Sequence, residues 1–216
     1  MKTITVKGLG KVTKSPDSII INMKLLSFDK EYDLTMEKAT KNLEEINSSL
    51  INIGFCKDMI KTTDFNVYTK YDNVRVDNTY KYTFMGYECQ QSLKIQFDMD
   101  IKKLANVFSV ISKCNAEPEI TVHFTIKNPK ELNEELLKSA ATNASEKAKI
   151  LCEATGVKLG DLVNIDYNWH DLSTYSNTNY HLEKRCLAAS TMQNNIDITP
   201  DDINFSEEVT FIWEIK

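Results

Sequence analysis

The chain has 216 residues, 42% hydrophobic and 26% charged, with a net charge of −5. That length buries a full core as one large domain or two small ones. The acidic balance, with Lys and Arg scattered along the chain, argues against nucleic acid or an anionic membrane surface as a partner, since both need a basic face.

The opening Met1-Lys-Thr-Ile-Thr-Val-Lys-Gly is interrupted by Lys and Thr, so no apolar signal core is read there, and no stretch suits direct membrane insertion. Five cysteines stand far apart, at 56, 89, 114, 152 and 186, with no Cys-x-x-Cys pair. An odd, dispersed set without a leader predicts reduced thiols and a cytoplasmic location.

Residues 3–13 carry Ile4, Val6, Leu9 and Val12. Their parity changes around Gly8 and Gly10, which predicts a strand with a β-bulge or bend. Ser15-Pro16-Asp17 has turn chemistry, and 18–27 is rich in Ile, Met and Leu, so the two runs read as an antiparallel hairpin. Met36, Ala39, Leu43, Ile46, Leu50 and Ile53 recur at helical spacing, and Gly54 stands where a left-handed cap is wanted.

Residues 60–71 read as a strand with Phe65, Val67, Thr69 and Tyr71 on one face. A polar tip follows at 72–78, and the return strand passes Gly86 to Phe97, making a long protruding hairpin over 60–97. Asp100 is placed to cap a second helix with a stripe of Ile101, Leu104, Phe108 and Ile111. Residues 120–126 alternate strictly, with His123 on the solvent face.

Asn128-Pro129-Lys-Glu131 is a helix start with an Asn cap and Pro at the first position. Leu137, Ala141, Ala144, Ala148 and Leu151 form the predicted stripe of this third helix, whose small residues suit a close approach to a sheet, and Gly156 ends it. A strand follows at 159–167 and a last one at 204–216. Between them lies a polar excursion, 168–197, whose length suggests a functional segment. The sum is an α+β fold: mostly antiparallel sheet with three main helices packed on it. It forms a single domain over 3–215 or two closely packed lobes.

Four segments carry a family resemblance. They are Ile4-Thr-Val-Lys-Gly-Leu-Gly-Lys-Val with Pro16-Asp17; the helix ending at Gly54 with Ile60-Lys-Thr-Thr; Met85-Gly86-Tyr87-Glu88 leading into Leu93-Lys-Ile; and Ala140-Ala-Thr-Asn-Ala-Ser-Glu-Lys-Ala with Gly156-Val-Lys-Leu-Gly160. In their order and spacing the chain resembles the SIMPL-domain family (DUF541) over nearly its whole length. The resemblance implies antiparallel strands covered by helices, a tendency to self-associate, and links to stress responses or protein interaction. It supplies no catalytic residues. The chain departs from the family in lacking the leader that many bacterial members carry, and in having Pro200-Asp201-Asp202 where Pro-Gly is frequent.

No constellation in the sequence identifies catalytic, cofactor-binding or metal-ligating residues, and no cofactor is expected. Gly8-Leu9-Gly10 lacks the third glycine and the helix start of a dinucleotide loop. His170 and His181, with Asp171, Glu183 and Cys186, are ligand types without zinc-site spacing. Cys186 follows Lys184 and Arg185, whose charge favours thiolate, so it is a candidate redox-sensitive residue. The other four cysteines are expected to pack as small apolar residues.

The carboxylate pairs Asp201-Asp202 and Glu207-Glu208 are expected to be solvated and to point apart. Tyr68, Tyr71, Tyr80 and Tyr82, with Tyr87, decorate the long hairpin and form the candidate interface. The preferred reading is a non-enzymatic protein that acts through self-assembly as a homo-oligomer or through an unidentified protein partner. The alternative is a small-molecule-binding protein or enzyme with a pocket under 168–197.

Overall fold

The computed structural model describes residues 2–76, 79–168, 173–182 and 198–216. In chain order the elements are β1 (Thr3–Lys14), β2 (Ser18–Asp29), α1 (Tyr32–Asn52), β3 (Lys61–Val76), β4 (Thr79–Asp98), α2 (Ile101–Ile111), β5 (Glu119–Thr125), α3 (Pro129–Thr155), β6 (Leu159–Asp166), β7 (Tyr175–Leu182) and β8 (Ile203–Ile215). The fold is α+β, with antiparallel pairing between β1 and β8, β6 and β8, β2 and β4, and β3 and β4. The chain divides into two compact units: Met1–Asp17 with Thr125–Asn177 and Pro200–Lys216, and Ser18–Phe124 with Thr178–Thr199.

The first unit is a three-stranded sheet in the order β1-β8-β6, packed on α3. The two ends of the chain meet in it, since Thr3 pairs with Glu214 and Lys14 with Ile203. This pairing corrects the expected hairpin of the first two strands: β1 pairs β8, whereas β2 pairs β4. Ser15-Pro16-Asp17 is the passage between units, held where Asp17 Oδ1 accepts from Lys127 N at 2.8 Å.

The expected bulge at Gly8 and Gly10 is also absent, because β1 keeps one register along its whole length. Val6, Gly8 and Gly10 are buried and Lys7, Leu9 and Lys11 exposed, so the parity never changes. The glycines answer a different need. A Cβ on Gly8 would stand 2.1 Å from the Ala140 carbonyl oxygen, and one on Gly10 would stand 2.1 Å from that of Leu136. The helix backbone lies directly on the strand.

That approach turns α3 from its predicted orientation. Its buried face is Leu132, Leu136, Ala140, Ala144, Ala148 and Cys152, while Ala141 and Leu151 are exposed. Ala144 and Ala148 of the predicted stripe are buried as expected, and Leu136, Ala140 and Cys152 take the places given to Leu137, Ala141 and Leu151. The Asn128 side chain does not cap the helix backbone; its Nδ2 donates to Glu131 Oε1 at 2.6 Å. Gly156 ends the helix in the left-handed region, at φ 71°.

The second unit is a five-stranded sheet in the order β3-β4-β2-β5-β7. Ile19, Ile21, Met23 and Leu25 of β2 and Leu93 and Ile95 of β4 meet Ile46 and Leu50 of α1 and Leu104 and Phe108 of α2. Leu43 and Ile53 of the predicted α1 stripe pack at the margin of this core. Gly54 has φ 95°, as its place after the helix required. Asp100 caps α2 by accepting from Lys103 N at 2.9 Å.

Two expectations change at the strands. The hairpin tip predicted over 72–78 is regular strand up to Val76. Part of the predicted excursion is also strand: β7 lies beside β5, where Thr121 Oγ1 and His181 Nδ1 are 3.2 Å apart. Its Tyr, Thr and Asn residues give an edge strand too polar for an apolar alternation to reveal.

Candidate functional site: the aromatic hairpin

β2 pairs β4 from Asp98 back to Tyr87 only, while β3 pairs it out to Thr79. The outer part of the β3–β4 hairpin is therefore a two-stranded ribbon. At its base Lys70 pairs Gly86 and Tyr71 pairs Phe84, so Met85 has no opposite number and β4 carries a bulge. Gly86 takes φ 147°, and a Cβ there would stand 2.2 Å from the Asp29 carbonyl oxygen.

The extra residue has a consequence for side-chain direction. Phe84 and Tyr87 are an odd number apart and would normally face opposite ways; one bulged residue returns them to the same face. The rings then form a chain. Tyr82 stacks on Tyr71 at 4.9 Å with 12° between planes. Tyr71 meets Phe84 edge-on at 5.5 Å, Phe84 meets Tyr87 at 5.3 Å, and Tyr87 meets Tyr32 of α1 at 5.6 Å.

Alternation continues the same face into Cys89, Gln91 and Leu93, which are buried beneath the helices. The apolar face of the core thus runs out into solvent as an aromatic strip. Tyr82 is 73% exposed and Tyr80, on the same face, 69%.

Of the four predicted interface residues, three share this face: Tyr71, Tyr80 and Tyr82. Tyr68 lies on the other, in a cross-strand row with Glu88 and Phe28. There Lys70 Nζ pairs with Glu88 at 2.7 Å and lies over the Phe28 ring at 5.6 Å. Phe84 and Tyr32 were missed by the tyrosine reading. The alternation of Phe84 with Tyr82 and Tyr80 was the available signal, whereas nothing local marked Tyr32.

The first unit holds an open hollow of about 690 Å³ lined by Lys7, Asp166, Asn168, Ser206, Glu208 and Thr210 among others. Its lysine is committed: Lys7 Nζ donates to Glu208 Oε1 at 2.7 Å, a bond that holds the ammonium pKa above its ordinary value. Among the described residues, hydroxyls, amides and carboxylates make up most of the remaining wall, and none of the described lining residues is His or Cys. Glu207 and Glu208 do face opposite ways, but Glu207 is buried rather than solvated.

Among the described cysteines, Cys89, Cys114 and Cys152 are free and buried, as expected, while Cys56 is free and exposed, contrary to expectation. Burial pushes the Cys89 and Cys114 thiols up, and a bond from Ser49 partly offsets this at Cys114. Cys186, with His170, Asp171 and Glu183, lies outside the described residues. Among the described residues no three His, Cys, Asp or Glu side chains converge on a metal position. None of the described helices is long and apolar enough to cross a membrane.

Fold and site define an α+β protein of two mostly antiparallel sheets whose most developed surface is an aromatic hairpin. The chain belongs to the SIMPL family, described as proteins of unknown function (DUF541), whose model matches residues 4–213. It is 25% identical over 222 residues to the 26 kDa periplasmic immunogenic proteins of Brucella melitensis and Brucella abortus, covering 99% of this chain and 84% of each relative. Among solved structures it has a TM-score of 0.19 and 11% identity to the regulatory subunit of aspartate kinase from Thermus flavus, covering 97% and 89% of the two chains; that score lies below a shared fold. The relatives overturn the cytoplasmic expectation, since both are named as periplasmic. That expectation rested on the odd, dispersed cysteines and on reading no leader at Met1, and neither settles a compartment.

Proposed function

We propose that the protein works by assembly or protein binding through the aromatic strip of the β3–β4 hairpin, and that it does so outside the cytoplasm, as the names of its relatives suggest. The observation that carries the reading is the ring chain Tyr82–Tyr71–Phe84–Tyr87–Tyr32 on a ribbon that extends past the helix-covered sheet. Aromatic residues are the side chains that protein interfaces favour, because each buries a large rigid surface for little lost rotamer freedom. Leaving such a strip in water forgoes that gain, so a partner surface is the natural complement.

Light scattering on a sizing column, comparing the native chain with a Tyr71→Ser/Tyr82→Ser variant, tests the reading. An oligomer that the double substitution dissociates supports it. An oligomer of unchanged mass removes the strip from the interface. Fractionation of the source cells tests the compartment.

A further inference from the structure

We infer that the outer edge of β3 is paired by a second copy of this chain, antiparallel, about a two-fold axis at Val67. The inference rests on the assembly reading above and specifies its geometry.

One edge of the first sheet is occupied by a helix. In the first unit, α3 occupies the outer edge of β1: Leu9 N donates to Asn143 Oδ1 at 3.0 Å, and Lys147 Nζ donates to the Lys7 carbonyl at 3.0 Å. In the second unit, β3 is the outermost strand among the described residues, and residues 68–75 are exposed throughout. A long edge strand is a template for another strand unless its side chains forbid the pairing.

The charges of β3 disfavour several registers and match opposite signs in two. Residues directly opposite in an antiparallel pair share a face, so a symmetric pair that keeps both sheets facing the same way is centred on a residue. Centred on Val67, the axis sets Asp64 of each copy opposite Lys70 of the other and Phe65 opposite Thr69. Centred on Tyr68, it opposes Asp64 to Asp72 and Lys61 to Arg75. Centred on Lys70 or Asp72, it opposes a charge to itself. Centring on Tyr71 matches Lys70 with Asp72 but places the axis where the β3–β4 ladder shifts register, opposite the β4 bulge. From Asp64 to Lys70 the ladder has no register shift, so this stretch is regular strand.

The pairing joins two sheets into one and sets the aromatic strips of both copies on the same side. Each strip then forms half of a larger apolar surface.

Cross-linking tests the axis. In a Cys56→Ser/Cys89→Ala/Cys186→Ser background, which also removes the thiol directly opposite Val67 on β4, mild oxidation should convert Val67→Cys to a covalent dimer, because its Cβ meets its own copy at about 5 Å. Thr69→Cys should stay uncross-linked, because its copies stand about 13 Å apart along the strands. Charge reversal tests the register. Asp64→Lys, and Lys70→Asp combined with Glu88→Lys to keep the pair within the chain, should each weaken the dimer about tenfold, and the combination of all three should recover it.

Circular dichroism checks that each variant is folded. A stable oligomer whose Val67→Cys form remains uncross-linked overturns the pairing while leaving assembly through the strip. A native chain that stays monomeric at all concentrations overturns both.

Discussion

Gly8→Ala should destabilise the first unit by about 2–4 kcal/mol, although alanine ordinarily suits a strand better than glycine. The added Cβ would stand 2.1 Å from the Ala140 carbonyl oxygen and 2.8 Å from the Ala144 Cβ. Ordinary carbon contacts begin near 3.5 Å, so strand and helix must separate by more than about 1 Å. Backbone oxygen is the first obstacle, so no truncation of an α3 side chain relieves it. Overpacking of this kind costs about 1–3 kcal/mol.

Separation also strains the bonds that tie α3 to the strand edge, from Leu9 N to Asn143 at 3.0 Å and from Lys147 to the Lys7 carbonyl at 3.0 Å. Each contributes about 0.5–1.5 kcal/mol net. Against this stands a gain of about 0.4–1 kcal/mol, because alanine restricts the unfolded chain. The loss outweighs that gain. Denaturant unfolding followed by the fluorescence of Trp213, buried in the same unit, reads it. Leu9→Ala, on the outward face of the same strand, is the comparison and should shift stability far less. A Gly8→Ala chain within about 0.5 kcal/mol of the parent would refute the claim that the helix rests on the strand backbone.

Gly86→Ala should lower the thermal midpoint, since the Cβ would meet the Asp29 carbonyl at 2.2 Å with φ at 147°; near-ultraviolet dichroism should register disturbed packing of Tyr87. Asp100→Ala should cost about 0.5–2 kcal/mol through loss of the α2 cap, with Asp100→Asn recovering most of it. The Asp29 carboxylate is held below its ordinary pKa chiefly by the Lys38 ammonium and then by the Glu31 backbone N–H. Its folded pKa is therefore the lower one. The associated stability is present above the unfolded value and lost as pH falls through the folded value. A carbon-detected titration of Asp29 should move up towards the ordinary range in Lys38→Ala. In the native protein, a thiol reagent should label Cys56 rapidly and reach Cys89, Cys114 and Cys152 only after unfolding.

Local order was legible where a segment's own residues decide it. The α1 stripe, the Asp100 cap and the left-handed Gly54 and Gly156 all lie within one element, and each stands as its spacing required. Strand partners were not legible in the same way. Ser15-Pro16-Asp17 has good turn chemistry, yet β1 pairs with β8 at the far end of the chain, a partner that no local signal could name. Gly8 and Gly10 looked like a break in alternation because glycine shows no side and Leu9 is exposed. The same pair turned α3: a helix pressed against two glycines presents Leu136 and Ala140, whatever apolar stripe its own sequence favours.

The aromatic strip illustrates the limit from the other side. Residue types announced it, since five tyrosines on one hairpin are conspicuous in any reading. Which of them act together depends on Met85, one residue without a partner. Period-two alternation would put Tyr87 behind the strip and leave Tyr80, Tyr82 and Phe84 on a face unconnected to the core. The bulge reverses the parity once, and the outer rings come into line with Tyr87, Cys89 and Leu93. Only glycine tolerates the Asp29 carbonyl at the position that follows, which is why Gly86 stands at the junction. The exposed rings are thereby joined through Tyr87 to Tyr32 at the start of α1 and lie in line with the buried Cys89 and Leu93, so the strip is an extension of the core face instead of a loose fringe on a hairpin. A surface held in place before any partner arrives loses little freedom on binding, and that is the physical ground for reading it as built to be covered.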